Sequence, residues 1–139
     1  MAVAGTVVKK RRHSYDGYEV EMTWTSDAAG AVSEGGSTGK GYLSANGYLV
    51  GMIPTATAGV SDDYDITLID DEGFDALRSQ GLNNQQAADE SFNTKYRSNV
   101  LNVDGGYLFF INKRLCLTIA NAGNVQTGTV TFQFSRTQP

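Results

Sequence analysis

Hydrophobic and polar positions alternate in short, well-bounded runs along this chain. Tyr18, Val20, Met22 and Trp24 fall on one side of a run whose other side is Glu19, Glu21, Thr23 and Thr25. A period of two with one apolar side is the pattern of a strand that buries one face. Tyr64, Ile66 and Leu68 repeat it against Asp65, Thr67 and Ile69. Leu115, Leu117 and Ile119 alternate with Cys116, Thr118 and Ala120, and Val130, Phe132 and Phe134 with Thr129, Thr131 and Gln133. These last two runs predict a hairpin central to the core. Tyr48 to Ile53 predicts a strand that follows a tight turn at Asn46-Gly47 and is closed by Pro54, which cannot donate to a ladder. Thr94 to Val103 holds a further strand, and Tyr107 to Ile111 is apolar on both sides, with Asn112-Lys113 as a break. With no long helical pattern and no repeat of fixed period, the chain reads as all-β, a single β-sandwich of about eight strands with jelly-roll-like connections. Trp24, Ile66, Leu68, Leu117, Ile119, Val130 and Phe132 are its expected core.

Turn residues punctuate these runs. Asp16-Gly17 signals a hairpin. Asp70-Asp71-Glu72-Gly73 is an acidic turn in which carboxylates bond nearby backbone and Gly73 takes positive φ. Phe74 and Leu77 follow within one turn of chain, and Gly81 and Asn83-Asn84 end the segment. Asn121 to Asn124 suits a loop with positive φ. Ser26 to Lys40 is small, polar and glycine-rich, a loop with at most a short extended piece. Its Gly39 to Gly41 is not followed by a helical pattern, so it is not a phosphate-binding loop.

Charge changes the picture at one place. Thr6 to Ser14 is a candidate strand whose middle is Lys9-Lys10-Arg11-Arg12. Alternate residues of a strand point to opposite faces, so this run cannot belong to a strand buried on both sides. Residues 1–13 therefore form an N-terminal arm or an edge strand. The run either blocks edge-to-edge aggregation or contacts an acidic protein surface or nucleic acid. The net charge of −4 argues against a general nucleic-acid binder. Lys9, Lys10, Arg11 and Arg12 are the candidate interaction residues.

The 139 residues suit one domain, 1–139, large enough to fold without staples. Cys116 is the one cysteine, so no internal disulfide forms, and its apolar strand pattern predicts a buried thiol with Arg114 on the same strand face. MAVAGTVVKKRR does not read as a secretory signal, because its apolar run is short and its basic cluster follows it. No run approaches the roughly 18 apolar residues of a membrane span.

Catalytic chemistry finds little to stand on. His13 is the only histidine, and a His13–Cys116 pair has no sequence support. One histidine and one cysteine do not make a zinc site. The carboxylates between residues 62 and 75 miss the register of an EF-hand and read as turn chemistry, with a looser calcium site left open. A carboxylate-pair glycosidase has no visible cleft behind it. The chain reads as a non-enzyme without cofactor.

Three blocks carry a family resemblance. They are Y-D-I-T-L-x-D-x-x-G-x-D-x-L from Tyr64 to Leu77 followed by Gly81 and Asn83, Tyr18 to Gly30 running into T-W-T-S-D-A-A-G, and L-T-I-A-N-A-G-N-V-Q-T-G-T-V from Leu117 to Val130. Together they resemble small β-sandwich virion structural proteins of tailed bacteriophages, of the head decoration or cement type. The segment Tyr107 to Arg114 departs from the shorter pattern of that family. The resemblance implies a location in the virion after assembly in the host cytoplasm. It implies the major capsid protein or another virion protein as partner, and a homo-oligomer, with a trimer among the options. Two alternatives accompany it. One is a neck or tail accessory protein. The other is a carbohydrate- or receptor-binding module, with Tyr15, Tyr18, Tyr42, Tyr48, Tyr96 and Tyr107 as an aromatic platform.

Overall fold

The computed structural model describes residues 5–14, 17–33, 35–56, 64–77 and 110–137. The described chain is all-β. Its strands are β1 (Thr6–Ser14), β2 (Gly17–Thr25), β3 (Tyr42–Ala56), β4 (Asp65–Ile69), β5 (Phe110–Ala120) and β6 (Thr127–Ser135). They form one antiparallel sheet in the order β1-β2-β6-β3-β5-β4. Alternation sets the strands as expected: Tyr18, Val20, Met22 and Trp24 of β2 are buried, as are Ile66 and Leu68 of β4 and Val130, Phe132 and Phe134 of β6. All seven expected core residues are at most 1 % exposed.

β3 decides the shape. It has 15 residues, and its first half pairs β5 from Tyr42↔Cys116 to Tyr48↔Phe110. Its second half pairs β6 from Leu49↔Phe134 to Ala56↔Gly128, with an irregularity between Leu49 and Gly51. A strand that changes partner through such a bulge turns a corner in the sheet. The sheet accordingly closes over its own apolar face. The rings of Trp24, on β2, and Tyr64, at the entry to β4, lie 5.8 Å apart. In a flat sheet four strand spacings would separate β2 and β4 by about 19 Å. Across the same interior the Asn46 N–H donates to the Tyr18 hydroxyl at 2.7 Å.

Several expectations are corrected. Asn46-Gly47 is no turn: both residues lie inside β3, opposite Asn112 and Ile111. A Cβ at Gly47 would stand 2.6 Å from the Ser135 carbonyl oxygen, so this glycine serves a close approach of the end of β6. Pro54 does not close β3, which continues to Ala56; it sits opposite Val130 where only β6 flanks β3, and there a missing N–H is tolerated. Asn112-Lys113 is paired within β5 and does not break it. The expected hairpin of the Leu115–Ala120 and Val130–Phe134 runs does not form: β3 lies between β5 and β6 and pairs with both. Hydrogen bonding joins the six described strands in one sheet, so separately paired sandwich sheets and jelly-roll connections are not seen among them. The expected strand at 94–103, the residues 81–84 and the start of the run at 107–111 lie outside the described residues.

The glycine-rich segment after β2 is more tied down than its composition suggests. Val32 exchanges two backbone hydrogen bonds with Ile119 of β5, and the Leu117 N–H donates to the Gly41 carbonyl. The buried Ser26 hydroxyl donates to the Gly123 carbonyl at 2.9 Å and accepts from the Gln126 N–H at 2.8 Å. Ser37 N–H donates to Gly5 O, and the Thr38 hydroxyl to Val7 O, which covers the first part of the outer edge of β1.

Candidate interaction surface

Of the two placements its basic run left open, arm or edge strand, β1 takes the second: it is an edge strand of the described sheet. Residues Val8 to His13 are all exposed. Its register on β2 sorts the run into two faces, because directly opposite residues share a face. Lys10 and Arg12 stand opposite Glu21 and Glu19. There the Arg12 guanidinium reaches Glu19 at 3.5 Å and Glu21 at 3.3 Å. Lys9, Arg11 and His13 stand opposite the buried Met22, Val20 and Tyr18. Their side chains therefore leave from the core side of the sheet and extend past its rim.

On that side the charges meet aromatic and backbone groups. The Arg11 guanidinium lies 4.0 Å over the Tyr18 ring, whose plane also stacks on Phe134 with centroids 4.9 Å apart. Arg136, just beyond β6, lies 5.5 Å from the same ring, donates to the Gly17 carbonyl at 3.1 Å and meets His13 Nδ1 at 3.4 Å. Lys9 Nζ donates to the Tyr42 carbonyl at 2.6 Å. The ion pairs among described residues use Arg12, Lys113 and Arg114, and none uses Arg11, His13 or Arg136. Sequence reading found Lys9 to Arg12 but missed Arg136, which is 123 positions from His13.

The acidic positions are occupied by turn chemistry. Asp27 Oδ1 accepts from the N–H groups of Ala29 and Ala31, Asp70 Oδ1 from Glu72 and Phe74, and Asp75 Oδ1 from Leu68 and Leu77. Gly73 takes φ 85°, as the turn requires. Among the described residues no three metal-ligating side chains gather. The Phe74 N–H, foremost, with the Glu72 N–H and the Lys113 ammonium at 3.3 Å, holds the Asp70 carboxyl below its ordinary value of 3.8. A carboxyl depressed in the folded state stabilises the fold above its unfolded pKa, and that contribution is lost as pH falls through the folded one. We expect Asp70→Asn, which keeps an acceptor oxygen without the charge, to flatten this limb. Urea midpoints measured from neutral pH to below pH 4 should fall less for the variant than for the parent; parallel curves would remove Asp70 from the account.

An open cleft of about 490 Å³ lies over the outer face of β5 and β4, lined by Tyr42, Asp71, Arg114, Cys116 and Thr118 among others. Cys116 is half-buried there and shares the cleft with Arg114, where sequence reading expected a buried thiol. Arg114 pairs with Asp71 at 3.5 Å and lies 4.7 Å over one face of the Tyr42 ring. Gly35 closes on that ring as well, since a Cβ there would stand 2.5 Å from it. Of the expected aromatic platform, Tyr18 is buried, Tyr42 is half-buried under Arg114, and Tyr48 is half-buried and meets Phe110 edge-on at 5.3 Å. Tyr15, Tyr96 and Tyr107 lie outside the described residues. Burial pushes the Tyr64 hydroxyl up to about 12, which keeps it neutral.

Neither a protein-family model, nor a curated protein, nor a solved structure matches the chain.

Proposed function

We propose that this protein is a non-enzymatic virion structural protein of a tailed bacteriophage, of the head decoration or cement type. In this reading it binds and stabilises the shell through non-covalent contacts with the major capsid protein or another virion protein. The observation that carries the reading is the exposed basic edge strand, Lys9 to Arg12, on a chain of net charge −4. An acidic protein that concentrates cations on one edge has a surface matched to carboxylates of a neighbour. The sequence blocks at Tyr18–Gly30, Tyr64–Leu77 and Leu117–Val130 supply the virion context. Two of them contain structural elements rather than reactive groups: the Asp70 and Asp75 turns in one and the Asn121 to Val125 loop in another.

The test is retention on purified particles. We expect the quadruple replacement of Lys9, Lys10, Arg11 and Arg12 by alanine to leave the fold intact and to weaken attachment, most at low salt, because screened charge contacts contribute least when salt is high. Co-sedimentation across a salt series measures this. Equal retention of variant and parent at every salt concentration would reduce the basic run to a solvated edge.

A further inference from the structure

Among the described residues the edge of β1 is free in one half only, and that half carries Arg11, which joins no ion pair among them. β1 and β2 are joined by a two-residue connection between the paired Ser14 and Gly17. In such a hairpin the closing pair exchanges hydrogen bonds, and alternate residues then point their N–H and C=O outward. The outward set is Gly5, Val7, Lys9, Arg11 and His13. Gly5 and Val7 agree, because their carbonyls accept from Ser37 and Thr38 on the far side from β2. Beyond Val7 the outward main-chain groups of Lys9, Arg11 and His13 meet no partner among the described residues.

We propose that this half-edge is a docking site for an extended acidic segment of a partner protein. The segment adds a strand beside Lys9–His13, with its carboxylates set against Arg11, His13 and Arg136. Main-chain pairing at a sheet edge gives affinity, and alternate side chains of the added strand give specificity. Its carboxylates meet two guanidiniums already held by the Tyr18 ring, at 4.0 and 5.5 Å, so the ordering cost falls mainly on the partner. Arg12 is excluded from this role because Glu19 and Glu21 already neutralise it. A second copy docking through its own β1 is disfavoured, because antiparallel β1–β1 pairing sets Lys and Arg against Lys and Arg. A nucleic acid lacks the main-chain groups that the free edge would pair. The proposal names the partner chemistry for the virion reading and rests on it for biological context, while its physical content does not need a particle.

The experiment uses the full chain and a fluorescent synthetic peptide of alternating threonine and glutamate. Two further peptides are N-methylated, one at every threonine and the other at every glutamate; oligothymidylate is the non-peptide anion. Anisotropy should show binding of the parent peptide that falls roughly tenfold in Arg11→Ala/Arg136→Ala and less than about twofold in Arg12→Ala. One methylated peptide should lose binding and the other keep it, because an added strand pairs through one edge. Amide exchange at Lys9, Arg11 and His13 should slow in the complex. Arg11→Ala alone, whose guanidinium lies over the Tyr18 ring and joins no ion pair among the described residues, serves if the double variant unfolds. No binding of the parent peptide overturns the proposal. So does equal loss in Arg12→Ala, or equal binding of both methylated peptides and oligothymidylate, which would leave a plain anion site. A protein that binds the peptide by this pattern but does not attach to particles would sink the virion reading and leave the docking site standing.

Discussion

Replacing Trp24 by alanine lowers the free energy of unfolding by about 3–5 kcal/mol, the range for removing a large buried aromatic side chain. The indole is fully buried and lies across the β2–β6 pair, directly opposite Gly128. A Cβ on Gly128 would stand 2.4 Å from Trp24 Cζ2, so the ring occupies the space that the glycine leaves. From there it reaches Tyr64 on the far side of the curled sheet. Its loss therefore opens a cavity where two distant parts of the sheet meet, and a site bounded by several strands collapses poorly. Trp24 Nε1 has no hydrogen-bond partner among the described residues, so the stabilisation is apolar in origin. It follows that Trp24→Phe costs less than Trp24→Ala, since phenylalanine keeps much of the buried area and discards an unsatisfied N–H. Gly128→Ala should cost about 1–3 kcal/mol in the parent by overpacking and much less in the Trp24→Ala background, a coupling expected of groups in contact. Urea unfolding followed by circular dichroism measures all of these, because the chain has no second tryptophan for fluorescence. A Trp24→Ala cost below about 1 kcal/mol would mean that the ring is not where the sheet closes.

The strands that could be read from the sequence are those that bury one face and keep one parity throughout. β2, β4 and β6 do so, and their alternation alone gave the core. β3 does not. Leu43, Ala45, Gly47 and Leu49 point inward in its first half, whereas Met52 and Pro54 do so after the irregularity at Leu49/Gly51. A change of parity erases the period-two signal over the whole run, and Asn46-Gly47 then reads as a turn by its composition. What glycine serves there is the approach of Ser135, a contact between residues far apart in sequence. The same limit governs the surface. The basic run left an arm or an edge strand as its only places, because four consecutive cations cannot lie in a strand buried on both faces. Which cations remain unneutralised depends on register. The pairing of Ser14 with Gly17 carries that register, since it sets Arg12 opposite Glu19 and Arg11 opposite Val20. Arg136 had no such signal: it joins His13 and Tyr18 only because β6 pairs β2 and ends beside the hairpin.

Gly5→Ala destabilises the fold by about 2–4 kcal/mol, although it adds one methyl group. Gly5 has φ 79°, a conformation that costs an L-residue with a Cβ. The space is closed as well. The added Cβ would lie 2.7 Å from the Thr25 carbonyl oxygen, 2.8 Å from that of Ala31 and 2.9 Å from Val32 Cγ2. Two of these neighbours are backbone at points where the chain is fixed: Thr25 ends β2, and Ala31 precedes the Val32–Ile119 bridge. They cannot turn aside as a flexible side chain would. The strain can be relieved by lifting the start of β1, which gives up the Ser37 N–H bond to Gly5 O. That relief has its own signature. Amide exchange at Ser37 should quicken before global unfolding, while exchange within β6 follows global stability. An alanine variant as stable as the parent would show that the entry to β1 does not hold this conformation. It would also detach β1 from the segment after β2, and with it the argument that only the Lys9–His13 half of the edge is open.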